Sequence, residues 1–322
     1  MKKYTIIFLL FCLQALRSQG LSNETRYTTS QNYIYLAKLE LANNNFTKSH
    51  DYFSKAFTYH QAQDSDQLLD AAASALHINN EELFKKYIIE SIVSFKAPLD
   101  FILEYDKFSS FKNHSFLKSL PDNYDKLLSQ YYISKKDLPA FIETSILVEK
   151  DQIARQMIND FEAEVKSSPT KIDKKVFGKI MEKADNENAE KLISITKKYG
   201  FQDYGWLILW HHRITFNDQN DSFWQYFKPV IDDEIKKGNL HKSYLATFAD
   251  VNKTIWDQKQ IYGTLFQYPI DNIKDVDALR ESVGLPPLLY DKIVYGKPLP
   301  DEYKLTESEL KKMLLKRVAQ YE

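Results

Sequence analysis

The sequence of 322 residues contains a single cysteine, Cys12, which lies within its first twenty residues. The rest of the chain therefore cannot form disulfide bonds, use a thiolate nucleophile or bind a metal through cysteine. Glycine is also scarce: apart from Gly20, every glycine lies at or after Gly178. The glycine-free stretch between Leu21 and Phe177 is typical of helices joined by short polar turns.

Long apolar runs are missing as well, except near the start of the chain. Lys2 and Lys3 precede an apolar stretch from Thr5 to Leu13, and the small residues Ser18 to Gly20 follow it. This order predicts a secretory signal peptide over residues 1–20. A membrane-anchoring helix is the alternative, but the run is shorter than the ~20 residues that a span needs. We therefore expect an exported protein, periplasmic or extracellular, with no membrane span in its mature part.

The motifs of several common activities are absent from the sequence. The formal net charge is −1 and becomes −4 if the three basic residues of the first twenty are removed, which gives no indication of a nucleic-acid partner. There is no glycine-rich phosphate loop and no Gly-X-Ser-X-Gly elbow. His211 and His212 are adjacent, whereas helical metal pairs use spacings of three or four residues. We predict no metal and no cofactor.

The first half of the chain reads as helical hairpins. Tyr33 to Phe57 has two apolar helical faces around an Asn43-Asn44-Asn45 turn. It resembles a tetratricopeptide repeat through four packing positions, Leu36, Ala37, Phe53 and Ala56. A second unit is predicted at Gln67 to Phe95 and a weaker third at Leu99 to Leu120. An ordinary helical bundle without repeats remains the alternative.

The second half is also predicted to be helical. Asp137 and Pro139 form a helix start, and Thr306 with Glu309 forms a capping box before a final helix. We therefore predict an all-α fold in which tetratricopeptide-like hairpins pack on a C-terminal helical domain. The predicted parts are a signal peptide (1–20), the repeats (21–135), an uncharacterised helical domain (136–295) and a tail helix (296–322).

Five ordered motifs lie between about residues 146 and 291. They are a first helix with Asp-Gln-X-X-Arg-Gln, a step that ends in His212, a helix in which Asp250 matches the aspartate of a Tyr-Leu-X-Asp-Arg motif, a Gln-X-Tyr-Gly-Thr turn and an Arg-X-X-Val-Gly-Leu-Pro-Pro-Leu end. Together they resemble a bacterial domain family of unknown function, so the resemblance implies a domain and no activity. Three positions depart from the family pattern, namely His211, Val251 and Leu265, where the family has glutamine, arginine and glutamine.

The shared motifs contain one set of candidate site residues. The chemistry-bearing members are Arg155, His212, Asp250, Tyr262 and Arg280, and the candidate binding residues are Gln156, Gln260 and Thr264. Arginines with a histidine, a carboxylate and a phenol could form an anion-binding pocket with an acid–base pair. They could equally form a buried network that holds helices together, because buried arginine and aspartate must be paired.

Two functions from different classes follow from these alternatives. The first is a non-catalytic interaction protein that binds a protein or peptide on the concave face of its repeats. The second is a small-molecule enzyme, most readily a hydrolase, that acts on an anionic envelope metabolite. The turn containing Gly263 is also expected to need a positive φ, so Gly263→Ala should cost on the order of 1 kcal/mol, while Gly296→Ala should be nearly neutral.

Overall fold

The computed structural model of the chain describes residues 20–135, 137–167, 175–265 and 267–321. The predicted signal peptide, apart from Gly20, lies outside these described residues. The described part is all-helical and contains no β-strand, as the sequence predicts. Each of its helices is too short or too polar to cross a bilayer.

The described residues form α-helices and three short 3-10 helices, at Asp106–Phe111, Asp203–Gly205 and Arg213–Thr215. The α-helices, in chain order, are α1 (Asn23–Ala42), α2 (Phe46–Tyr59), α3 (Ser65–His77), α4 (Glu81–Phe95), α5 (Leu99–Leu103), α6 (Ser115–Ile133), α7 (Leu138–Ser167), α8 (Lys175–Tyr199), α9 (Trp206–His211), α10 (Ser222–Lys236), α11 (Ala246–Asp257), α12 (Val276–Ser282), α13 (Leu288–Tyr295) and α14 (Glu307–Ala319).

The chain divides into two compact units. The first contains the residues up to Ser134 together with Ile235–Tyr244 and Pro269–Glu322, and the second contains Lys135–Glu234 and Leu245–Tyr268. The residues after 268 therefore group with the first unit, and the predicted domains 136–295 and 296–322 stay predictions.

Two helical hairpins, α1–α2 and α3–α4, form the start of the first unit, and their turns have the same hydrogen bonds. In the first turn, the Asn44 amide donates to the Leu41 carbonyl and the Asn45 amide to the Glu40 carbonyl. In the second, the same two bonds occur 35 residues later, from Asn79 to Leu76 and from Asn80 to Ala75. Asn44 and Asn79 both have a positive φ, of 57° and 59°, which asparagine tolerates better than most residues.

The third predicted hairpin, Leu99 to Leu120, has a different form. Its first part is the five-residue α5 and the 3-10 helix at Asp106–Phe111, and only α6 is a full helix. Phe108 is buried within this segment and packs edge-on against Phe84 of the second hairpin. This segment therefore differs in form from the two hairpins that precede it.

The last helices of the chain complete the core of the first unit. Both α13 and α14 pack on α1, and Tyr290, Leu310 and Leu314 belong to the same buried cluster as the hairpins. Helix α14 starts with the predicted capping box, in which the Thr306 and Glu309 side chains bond each other's backbone amides. The apolar side of this helix is therefore part of the core of the first unit.

A buried carboxylate lies in the same unit. Asp70 of α3 is 3% exposed and is paired with Lys38 at 3.2 Å and Lys107 at 2.5 Å, while the Tyr105 hydroxyl donates to it at 2.7 Å. Burial by itself raises the pKa of Asp70, but the two lysines and Tyr105 outweigh it and lower the pKa. Asp70 therefore joins α1, α3 and the segment that follows α5.

In the second unit, α7 and α8 form a long helical pair against which α9 packs. The Asp137 side chain accepts from the Ala140 amide at 3.1 Å, as predicted for the start of α7. The apolar segment after Gly205 is helical, and its α-helix ends at His211. The core of the second unit includes Trp224 and Phe248, whose rings meet edge to face at 5.2 Å.

Two adjacent leucines of α14 test whether one side of this helix is buried in the core of the first unit. Leu314 is fully buried, whereas Leu315 is 38% exposed. We expect Leu314→Ala to lower the free energy of unfolding by about 2–5 kcal/mol, and Leu315→Ala by less than about 1 kcal/mol. Urea denaturation of the two variants measures this difference. Equal losses would mean that α14 lies on the surface of its unit.

Candidate functional site

The Gln-X-Tyr-Gly-Thr turn is held by a single buried carboxylate of α11. Asp250 is fully buried, and its Oδ1 accepts from the backbone amides of Ile261 at 2.6 Å and Tyr262 at 2.8 Å. Its Oδ2 accepts from the Thr264 amide at 2.8 Å and the Thr264 hydroxyl at 2.7 Å. Four donors therefore satisfy this buried charge, as such a charge requires.

The side chain of Gln260 closes the same turn from its other end. Gln260 is 2% exposed, and its Nε2 donates to the carbonyls of Leu265 at 2.9 Å and Tyr268 at 2.5 Å. Its Oε1 accepts from the Leu265 amide at 2.8 Å. Polar side chains therefore hold the turn by hydrogen bonds to its backbone. The side chains of Asp250, Gln260 and Thr264 all have hydrogen-bond partners.

Arg155 of α7 lies between two carboxylates. Its Nε donates to Asp151 Oδ2 at 3.1 Å and its Nη2 bonds to Asp185 of α8. Asn188, one turn further along α8, donates to Asp151 Oδ1 at 2.9 Å. His211 Nδ1 lies 3.0 Å from Asp151 Oδ2. This polar cluster therefore connects α7, α8 and the end of α9.

Contacts within this cluster favour the charged form of the Asp151 carboxyl. Burial by itself would raise the pKa of Asp151, but contacts from His211 and Arg155 outweigh that effect and lower the pKa to about 2. Ligand atoms of Asp151, Asp185 and His211 lie within 4.8 Å of one another, which is close enough to hold a metal ion. The guanidinium of Arg155 already bonds both carboxylates, so we assign no metal to these residues.

His212 points away from its neighbour His211. Its Nε2 lies 3.2 Å from the carbonyl of Asp185, which can only accept, so Nε2 carries the proton. The ring stacks on Phe223 at 4.2 Å, and burial lowers the pKa of His212. It lines an open pocket of about 400 Å³, which also includes Asn186, Glu190 and Asp221. No other member of the predicted cluster lines this pocket.

Arg280 belongs to the first unit and is 1% exposed. Its Nε donates to the Pro286 carbonyl at 2.6 Å, and its Nη2 lies 3.2 Å from Asp291 Oδ1. Its own carbonyl accepts from the Leu285 amide after Gly284, whose φ is 78°. The Arg-X-X-Val-Gly-Leu-Pro-Pro-Leu motif is therefore the end of α12 and the connection to α13.

The structure brings the predicted residues together in small groups. Asp250 binds the turn that holds Tyr262 and Thr264, while Arg155 and His212 both contact Asp185, through its carboxylate and its carbonyl. Burial raises the pKa of the Tyr262 phenol, and nearby Asp250 adds to this effect. Gln156 is exposed and bonds Asp160 one turn further along α7.

Sequence reasoning missed Asp185 and Asn188, which complete the cluster around Arg155. Both residues precede Leu192 at helical spacings, since they lie seven and four positions before it. Leu192 is 1% exposed, so these two polar residues lie on the buried side of α8. Their helical spacing from a buried leucine is the sequence feature that could have identified them.

The chain was compared with known families, proteins and structures. No protein-family model matches it, and neither does any curated protein or solved structure. The resemblance to a bacterial domain family of unknown function therefore stays a prediction from the motifs, without an activity attached to it.

Gly263 and Gly296 have the same backbone conformation, although their substitution by alanine was expected to have different effects. Gly263 has a φ of 70°, which confirms the expected positive angle. Gly296 has a φ of 69° at the end of α13, so the expectation that Gly296→Ala is neutral was wrong. A glycine that ends a helix in the left-handed region resists substitution even when it is exposed.

Gly178 is the better control for the turn. It is exposed within α8, and an added Cβ would have no neighbour within 4 Å. We expect Gly263→Ala to destabilise by about 1 kcal/mol or more because of its positive φ. Gly178→Ala should stabilise by about 0.5–1 kcal/mol, because alanine favours helix. Paired urea melts measure both, and an equal effect of the two changes would contradict the constrained turn.

Proposed function

We propose that this is a non-catalytic exported protein that acts by binding a protein, and that its binding surface is the exposed side of α7. The observation that carries this proposal is a row of large apolar side chains along that helix. Ile146, Ile153, Met157 and Phe161 are each about half exposed. Their spacing of four or seven residues places them on one face.

The other side of α7 accounts for its packing within the second unit. Thr144, Leu147, Asp151 and Ile158 are buried there. The helix therefore has two apolar sides, and among the described residues of its own unit only one of them is buried. Water contact with so many large side chains is unfavourable, and a contiguous exposed apolar surface of this kind often marks an interaction site.

The roles of the shared motif residues also favour a non-catalytic protein. Asp250 is saturated by turn donors, and Arg155 is paired with two carboxylates. Arg280 is paired with Asp291 in the first unit. His212 lines an open pocket in the described part of the chain, and its Nε2 is bonded to a carbonyl. No second residue of this set lines that same pocket, which disfavours the hydrolase alternative.

The N-terminal hairpins are part of this proposal as tetratricopeptide-like repeats. The equal turns 35 residues apart support this interpretation, and so does the complete burial of Leu36, Ala37, Phe53 and Ala56. Their first helix, α1, already packs against α13 and α14, so the concave face is a poorer candidate for an external partner than the sequence indicated.

A site-specific photo-crosslinker tests whether the exposed side of α7 binds protein. The crosslinking amino acid is placed at Met157, and as a control at Asn159, which is exposed and about 200° further around the helix. In cells that produce and export the chain, we expect a protein adduct at 157 and none at 159. Absence of adducts at both positions would contradict the proposal.

A further inference from the structure

The exposed side of α7 has a symmetric pattern of charge and apolar groups. The residues Lys150, Ile153, Met157, Phe161 and Glu164 follow one another at spacings of three, four, four and three. At 100° per residue, all five lie within 40° of Met157 around the helix. All five are exposed, and the three apolar ones are 51%, 52% and 49% exposed. The face thus begins with a positive charge and ends with a negative one.

Such a face is complementary to itself when it is turned end to end. We propose that α7 binds α7 of a second copy of this chain, antiparallel, around a two-fold axis at Met157. Each Lys150 then faces the Glu164 of the other copy, each Ile153 faces a Phe161, and the two Met157 side chains meet at the axis. This inference rests on the proposed function and names the partner of its binding surface.

Geometry and charge both favour this register. Residues 150 and 164 are about 21 Å apart along the helix, and their long side chains reach across a helix pair of ordinary spacing. The two-fold axis makes the contact isologous, so one residue pair gives two salt bridges. Glu149 and Asp160, the acidic residues at the edge of the face, come opposite positions 165 and 154, which are valine and alanine. No like charges face each other.

A second antiparallel register is possible, and the positions of the charged residues distinguish it from the register centred on Met157. Ile146 and Ile142 continue the apolar row towards the start of α7, and they could pair with Met157 and Phe161 of the other copy. Lys150 would then face Ile153, and Glu164 would face Pro139, so neither charged residue would face an opposite charge of the other copy. The charged ends therefore select the register centred on Met157.

Cysteine crosslinking tests the axis directly, because only Cys12 has to be removed. In the full chain with Cys12→Ser, Met157→Cys should form a disulfide-linked dimer on mild oxidation, since both thiols lie at the two-fold axis. Asn159→Cys, on the far side of the helix, should stay monomeric under the same conditions. Equal crosslinking of the two variants, or none in either, would overturn the inference.

Charge exchange tests the register. Lys150→Glu and Glu164→Lys should each raise the dimer dissociation constant about tenfold, because two attractive pairs become repulsive. The double variant should restore dimerisation, since the opposite charges face each other again. Sedimentation equilibrium measures all four chains, and a double variant as weak as the single ones would overturn the antiparallel pairing.

The outcomes separate this inference from the proposed function. If the purified chain stays monomeric while position 157 forms adducts with a different protein in cells, the self-association is wrong and the protein-binding function stands. If position 157 forms adducts only with another copy of the chain, both stand. If it forms none, both are wrong.

Discussion

The four hydrogen bonds that Asp250 accepts determine how the second unit ends. A carboxylate fully removed from water is expensive unless donors surround it, and here the donors are three amides and a hydroxyl of a loop that has no helix of its own. Residues Gln260 to Leu265 can therefore keep this conformation without a regular hydrogen-bond ladder. Gln260 adds three further bonds to the same loop, so side chains replace the backbone partners that a helix would supply.

The same constraint explains the other shared motifs. Asp151 is buried where α7 meets α8, and Arg155 and Asn188 supply donors to its carboxylate. Arg280 is buried beside the turn after α12 and needs both Asp291 and the Pro286 carbonyl. In each case a buried charge selects one arrangement of a loop or helix pair, because any other arrangement would leave it without partners. Motifs that resemble an active site in the sequence thus have a structural role available to them.

Much of the fold could be predicted from the sequence because its determinants are local. Helical periodicity, the Asp137 cap and the Thr306 capping box lie within a few residues of the features that they specify. The grouping of α13 and α14 with the first unit could not be predicted, because it depends on contacts with α1 more than 240 residues earlier. Asp185 was missed for the same reason, since its partner Arg155 lies 30 positions before it.

The exposed side of α7 gives the protein a surface that its own packing does not require. The two sides of this helix differ: one is buried within the second unit, and the other is exposed and is the surface that we propose for contact with a second copy. The polar cluster at Asp151 connects α7 to α8 and to the end of α9. In the proposed function the two kinds of residue have different roles. The buried charged residues stabilise the packing of the second unit, and the exposed apolar residues of α7 bind the partner.

Hydrogen exchange at the loop after α11 tests most directly whether the motif residues are structural. The account predicts that the amides of Ile261, Tyr262 and Thr264 are protected in the native chain, and that Asp250→Ala removes this protection while leaving the exchange of α7 and α8 slow. Rapid exchange of these three amides in the native chain, or equal protection in the variant, would contradict it.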